Sequence, residues 1–291
     1  MFEGVYSALI TPFTNGRFDQ EAFARLVEYQ LEQGICGVVP CGTTGESATL
    51  SHEEHKEVIR FCVELVAGRV PVIAGTGSNA TAESIELTKF AKEVGADGAL
   101  LITPYYNKPT QEGLYQHYKA VANAVDLPIV LYNVPGRTAL DMDASTIIRL
   151  AEISNIVAVK EATANMERAS IIHKQCGDGL TLISGDDATF LPFLAVGGGG
   201  VISVCANIVP RAMVALWRAW KSGDWATAHR YHQNLLDLNG LLFCETNPIP
   251  IKAAINMMGL CGPELRLPLT ELSEESRGPL REAMEALELI N

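Results

Sequence analysis

Eight short β-rich runs recur along this chain, and no other feature constrains the fold so strongly. They are VYSALITPF (5–13), GVVPCG (37–42), VPVIAGTG (70–77), ADGALLITP (96–104), LPIVLYNVP (127–135), IVAVKEAT (156–163), LTLISGDD (180–187) and GVISVCAN (200–207). Each breaks off at or near Gly, Pro, Asn or Thr and is followed by a helical pattern, such as DQEAFARLVEYQLEQG or TAESIELTKFAKEVG, several of which end on Gly as helix C-termini do. Another stretch, SHEEHKEVIRFCVELV, opens with Ser51 and Glu54 in capping-box spacing. Strand–helix units spaced by roughly 20–35 residues predict parallel β-α-β construction. Eight of them without a dinucleotide fingerprint predict an α/β fold of the closed (β/α)8 TIM-barrel type rather than an open doubly wound sheet.

After Asn207 the strand signal stops and the period becomes helical to the end of the chain. The division this predicts is a (β/α)8 catalytic barrel over residues 1–222 and a small C-terminal helical region over 223–291. A chain of 291 residues, 48% hydrophobic, can bury a core of that size. Its apolar runs are short and broken by charge, which predicts no membrane span, and MFEGVYSALITPF has no basic flank or cleavage-like site. Seven scattered cysteines without a C-x-x-C pair argue against disulfides and zinc and for a reducing cytoplasm. A net charge of -12 argues against nucleic acid and anionic membranes as partners, and a small anionic substrate would need a locally positive pocket.

Barrel chemistry collects at the carboxyl ends of strands. Lys160 lies near the end of the sixth run, and alternation groups it with the small residues Ala158 and Ala162, apart from Val157 and Val159. A lysine at a strand's exit can simply reach solvent, but small neighbours on its own face leave room for it inside the barrel mouth. Desolvation there favours the neutral amine that carbonyl chemistry needs. After the second run comes GTTGE (42–46), whose hydroxyls and backbone amides can cradle an anion, though a Gly/Thr turn alone is a weak signal. After the fourth comes TPYYNKPT with Tyr105 and Tyr106, a pair that more often packs than catalyses. LYNVPGRT places Tyr132 in the fifth strand, as a candidate proton shuttle, and Arg137, whose fork suits a carboxylate, five residues on. An amine, a phenol, hydroxyls, amides and a guanidinium together suit Schiff-base chemistry on a 2-oxo acid, with a second acidic substrate held by arginine.

GTTGE, TPYYN, YNVPGRT, KEAT, SGDD and GVISV, in this order and over essentially the full length, resemble the dihydrodipicolinate synthase family of the pyruvate-dependent class I aldolase superfamily. KEAT and GTTGE mark the superfamily broadly, YNVPGRT with PYYN the synthases more specifically. The resemblance implies a cofactor-free, metal-free lyase of lysine and diaminopimelate biosynthesis. It would condense pyruvate with L-aspartate 4-semialdehyde to 4-hydroxy-tetrahydrodipicolinate. By it, Lys160 forms the Schiff base, Thr43, Tyr132 and Tyr106 (from a neighbouring subunit) relay protons, and Thr44, Ile202 and Gly185 contact pyruvate. Arg137 holds the semialdehyde carboxylate. An L-lysine effector site would use Ser47, Ala48, His52, His55, Asn79, Glu83 and Tyr105, and the assembly would be a homotetramer built as a dimer of dimers.

Competing readings are a sugar-acid aldolase (sialic acid or 2-keto-3-deoxy sugar acid lyase), against which Arg137 argues, and a non-catalytic pyruvate- or lysine-binding regulator, against which intact Lys160, Tyr132 and Thr43 argue. A pyridoxal phosphate enzyme lacks support in any phosphate loop at the top face. Outside the site, GGGG (197–200) reads as close packing before the eighth strand, Trp217, Trp220 and Trp225 as core or interface, and Asp186 with Asp187 as a weak metal candidate.

Overall fold

The computed structural model describes all residues, 1–291. Each of the eight runs supplies one barrel strand, the first beginning one residue ahead of its run: β1 Gly4–Ala8, β2 Gly37–Val39, β3 Ile73–Gly75, β4 Gly98–Ile102, β5 Ile129–Asn133, β6 Ile156–Glu161, β7 Thr181–Ser184 and β8 Gly200–Ser203. They form one eight-stranded sheet in the order β2-β1-β8-β7-β6-β5-β4-β3, and the fold is a (β/α)8 barrel. Every strand stops short of its run's C-terminal end, because the residues beyond it leave the ladder to build the loops that carry chemistry.

The helices that follow the strands are α1 Gln20–Glu32, α2 His52–Val66, α3 Thr81–Glu93, α4 Gln111–Ala124, α5 Ala144–Leu150, α6 Met166–Cys176, α7 Phe190–Ala195 and α8 Pro210–Lys221. Their starts follow from local chemistry. Asp19, Thr110 and Asn165 accept backbone N–H bonds at the starts of α1, α4 and α6, and Ser51 with Glu54 forms the reciprocal capping box of α2. The C-terminal extension is α9 Trp225–Leu241, α10 Ile249–Met257 and α11 Glu274–Ala286.

By contact density the chain divides into two compact units. The first comprises residues 1–4 and 71–202. Its core sorts strand residues by parity: Leu101, Ile129, Leu131, Val159 and Leu182 pack with Tyr118 and Val121 of α4, Ile147 and Leu150 of α5, and Ile172 of α6. The intervening positions, Leu100, Val130, Tyr132, Ala158, Lys160 and Ile183, are buried but lie outside that cluster, on the other face of the sheet. The glycine run packs as expected, since a Cβ on Gly200 would lie 2.1 Å from the carbonyl oxygen of Gly4.

The second unit comprises residues 5–70 and 203–291. Here β1 and β2 pair in parallel, with Tyr6 opposite Gly37 and Ala8 opposite Val39. Asn207 donates to the Ala8 carbonyl at 2.8 Å, and its own carbonyl accepts from Gln30 of α1 at 3.0 Å. A two-stranded hairpin, Phe13–Thr14 against Arg17–Phe18, was not anticipated. Its Asn15–Gly16 turn has φ of 54° and 74°, the left-handed pair that Asn-Gly supplies readily. None of the three tryptophans belongs to the core: Trp217 and Trp220 are half-buried, and Trp225 is exposed with its ring 6.2 Å from that of Trp220.

Candidate active site

In the first unit, β5 and β6 set Tyr132 directly opposite Lys160 in register. Lys160 is only 6% exposed, and its Nζ stands 4.2 Å from the centroid of the Tyr132 ring. That places the amine on the face of a phenol, a contact that holds the side chain in place. Tyr132 is fixed from behind, because its carbonyl accepts both the backbone N–H (2.9 Å) and the hydroxyl (2.8 Å) of Thr103. Gly185, just past β7, is why the lysine fits. A Cβ there would meet the Cβ of Ala162 at 2.6 Å and Cε of Lys160 at 3.2 Å. Ile202 is buried on β8.

The residues next to these two point to the opposite face and form a polar network that sequence reasoning did not find. Asn133 donates to Glu161 at 3.2 Å and to Asp141 at 2.8 Å, and Arg168 of α6 donates through Nε to Glu161 at 3.0 Å. Glu161 also accepts from the Thr163 backbone N–H at 2.9 Å. The signal was present, since parity puts Glu161 opposite in direction to Lys160, and a buried carboxylate requires a cationic or hydrogen-bonding partner. Arg137 sits on a one-turn helix, Pro135–Thr138, after β5, with its side chain exposed.

In the second unit, the GTTGE turn is narrower in its anion-binding capacity than its composition suggests. The amides of Gly45, Glu46 and Ser47 bond to carbonyls of Gly42 and Thr43, so the turn leaves the amides of Thr43 and Thr44 for a ligand. The Thr44 hydroxyl accepts from Asn247 Nδ2 at 3.0 Å, and the Thr11 hydroxyl donates to the Gly45 carbonyl at 2.7 Å. Glu46 ends the turn in the left-handed region with a φ of 54°. Its carboxylate pairs with Lys252 of α10 with both side chains fully buried, and accepts the Arg266 backbone N–H at 3.0 Å. Lys252 also donates to the carbonyls of Thr11 (2.8 Å) and Glu264 (2.9 Å). Burial pushes its ammonium below the ordinary lysine range, and Glu46 pulls it back. Arg266 forks onto Glu54 at 2.9 and 2.5 Å, and those bonds bring the Glu54 carboxyl down to about 2.

The predicted effector residues fall into two groups. In the first unit, Asn79 donates to the Tyr105 carbonyl at 3.2 Å, and Ser78 donates to Glu83 at 2.6 Å. Burial, then the Glu83 charge, raises the Tyr105 phenol. In the second, Ser47 and Ala48 occupy a short 3-10 turn, His52 opens α2 exposed, and His55 is buried one turn on. Tyr106 is 90% exposed, with a left-handed φ of 72°. Asp186 caps its own turn, accepting the backbone N–H and hydroxyl of Thr189 at 2.9 and 2.6 Å. No group of three or more His, Cys, Asp or Glu side chains is placed to hold a metal ion.

The model of the dihydrodipicolinate synthetase family matches residues 1–287. The chain belongs to that family. Among its relatives is a 4-hydroxy-tetrahydrodipicolinate synthase of Magnetococcus marinus, 66% identical over 290 residues that span 100% of this chain and 99% of the relative. The solved pyruvate complex of dihydrodipicolinate synthase from Acinetobacter baumannii is similar at 48% identity, covering 100% of each chain with a TM-score of 0.98. The enzyme from Cyanidioschyzon merolae, solved with lysine bound, is similar at 43% identity, covering 99% of each chain with a TM-score of 0.96. In this synthetase-family chain the buried Glu46–Lys252 pair links GTTGE to residues 247–252 at the start of α10, two residues 206 positions apart whose coupling the linear sequence hides.

Proposed function

We propose that this chain is a lyase that condenses pyruvate with L-aspartate 4-semialdehyde to 4-hydroxy-tetrahydrodipicolinate, in lysine and diaminopimelate biosynthesis. The observation that carries the reading is Lys160, buried at the end of β6 against the Tyr132 ring, in space that only a glycine at 185 leaves open. In this mechanism the neutral Lys160 amine attacks C2 of pyruvate, and the resulting carbinolamine loses water to give an imine. Loss of a C3 proton makes an enamine, whose C3 attacks the aldehyde carbon. The amino group of the former semialdehyde then attacks the imine carbon, closing the ring and expelling Lys160.

Thr43 and Thr44 bind the pyruvate carboxylate through hydroxyls and the two uncommitted amides, while Gly185 and Ile202 bound the pyruvyl group. Tyr132 moves protons with Thr43 and with Tyr106, which a second copy of the chain supplies. The exposure of Tyr106 here supports a partner's use of it, and we take the working assembly to be a homotetramer, a dimer of dimers. Arg137 receives the semialdehyde carboxylate.

L-Lysine acts as feedback effector at Ser47, Ala48, His52, His55, Asn79, Glu83 and Tyr105, with Glu83 receiving its ammonium. The bond from Asn79 to Tyr105 and the closeness of Glu83 to that phenol support this set. Full activity at millimolar lysine would remove the effector reading. A cytoplasmic location is supported by seven free thiols, and no helix is long and apolar enough to cross a membrane.

The test is borohydride reduction in the presence of pyruvate, followed by peptide mass mapping and then turnover with aspartate semialdehyde against sugar aldehydes. A pyruvyl adduct on Lys160 with turnover of the semialdehyde is expected. An unlabelled lysine in folded protein would overturn the mechanism.

A further inference from the structure

The loop that carries Arg137 is closed at its neck by side chains that the mechanism does not use. The chain leaves β5 at Asn133 and returns at Met142, whose N–H donates to Asn133 Oδ1 at 3.0 Å. Asn133 Nδ2 reaches Asp141 at 2.8 Å and Glu161 at 3.2 Å. From the other side Arg168 donates through Nε to Glu161 at 3.0 Å, through Nη1 to Asp141 at 3.1 Å and through Nη2 to the Met142 carbonyl. All of these bonds fall on the two ends of the 134–141 loop or on the strand beside it. Inside the loop, the Thr138 hydroxyl ties the Val134 and Leu140 carbonyls, at 3.2 and 2.9 Å, and the Arg137 N–H bonds to Val134 at 2.9 Å. A loop ordered within and clasped at its base holds its one guanidinium on a fixed stem.

We propose that Asn133, Glu161, Arg168 and Asp141 are a clamp that aims Arg137, which makes Arg168 a positioning residue that sets affinity for the second, carboxylate-bearing substrate. The proposal rests on the reading of Arg137 given above. A planar guanidinium meets three acceptors in different directions at once, which a lysine's single ammonium cannot reproduce in the same geometry. Arg168 approaches the outward face of β6, and its effect passes through the loop rather than through Lys160.

Steady-state kinetics on the full-length enzyme separate this role from a merely structural one. Arg168→Lys is expected to raise KM for aspartate semialdehyde roughly tenfold, with KM for pyruvate changed by less than about twofold and the yield of borohydride-trapped adduct unchanged. Asp141→Asn, at the more exposed end of the clamp, should shift the same KM in the same direction by less. In an Arg137→Ala background, Arg168→Lys should add nothing further, because the clamp acts through Arg137. Equal rises in both KM values, no rise in either, or full additivity with Arg137→Ala would overturn the proposal. Should the wild type turn over a sugar aldehyde instead of the semialdehyde, the second-substrate reading fails by itself. The clamp is then judged by its route through Arg137 alone: a shift in KM for that aldehyde with Arg168→Lys that vanishes in the Arg137→Ala background upholds the aiming role, and any other result overturns it.

Discussion

Glu46 and Glu161 are both buried glutamates in the segments that end barrel strands, and both meet a cation, yet the two pairs differ in kind. Glu46 and Lys252 have no exposed side-chain surface, and their residues are 206 positions apart. Glu161 meets Arg168 only seven positions on, and that arginine keeps 13% of its side chain exposed. The first pair joins distant parts of the chain, and a lone survivor there would be a charge without water. The second is local and bridges several acceptors, so its value lies in direction. Burial depth and sequence separation thus distinguish an ion pair that ties a turn to a distant helix from one that closes the base of a nearby loop.

The largest expected effect is on the fully buried pair. Lys252→Met should cost about 3–5 kcal/mol in urea unfolding, since it leaves Glu46 dehydrated and uncompensated. A loss under about 1 kcal/mol would break the comparison. Gly185→Ala bypasses both pairs and reaches the amine directly. The rate of pyruvate trapping on Lys160 should fall about a hundredfold and Tm should drop as well, because the new Cβ meets the rigid Cβ of Ala162 at 2.6 Å and crowds the Lys160 stem. An unchanged trapping rate would mean that room beside Cε is not limiting.

Arg168→Met should cost about 2 kcal/mol, less than Lys252→Met, because its bonds are charge-assisted but water reaches the site. A cost equal to that of Lys252→Met would erase the distinction. The smallest effect concerns Glu54, whose folded carboxyl sits at about 2 against an ordinary 4.5 through the Arg266 bonds. A depressed folded value means a contribution fully present above about 4.5 and lost as pH falls toward about 2. The Tm advantage of wild type over Glu54→Gln should therefore shrink across that window. It should be modest, because solvent still reaches this half-buried pair and screens it. An advantage that stays level from neutral pH to the bottom of that window would assign the role to something other than this ion pair.

What could be read from sequence was what depends on near neighbours. Eight apolar runs with breakers, the capping box at Ser51 and Glu54, and the grouping of Lys160 with Ala158 and Ala162 are all set within a few residues, and each stands in the structure. The runs overshot the strands because Thr163 looks like a strand residue but lies beyond the ladder, whose last bond on this edge runs from the Ala162 N–H to the Asn133 carbonyl. The hairpin at Asn15–Gly16 carries an explicit Asn-Gly turn signal, but its two-residue strands are too short to show an alternation in the sequence. Of the two places expected for the Trp225 ring, core or interface, its exposure in the single chain removes the core. Arg168 and Lys252 were illegible for another reason. A long cationic side chain on a helix reads as solvated surface until its partner's position in space is known.

Adjacent residues of β6 carry opposite charges and serve opposite sides of one sheet, so the strand stores its chemistry as a parity. Shifting the register by one residue would present Glu161 where the amine must attack and drive Lys160 toward Arg168, setting cation against cation. Two consecutive letters thus act as a frame check on the whole segment. A single deletion within 156–159 should be far less tolerated than one in the 177–179 turn before β7, where no such alternation has to be kept.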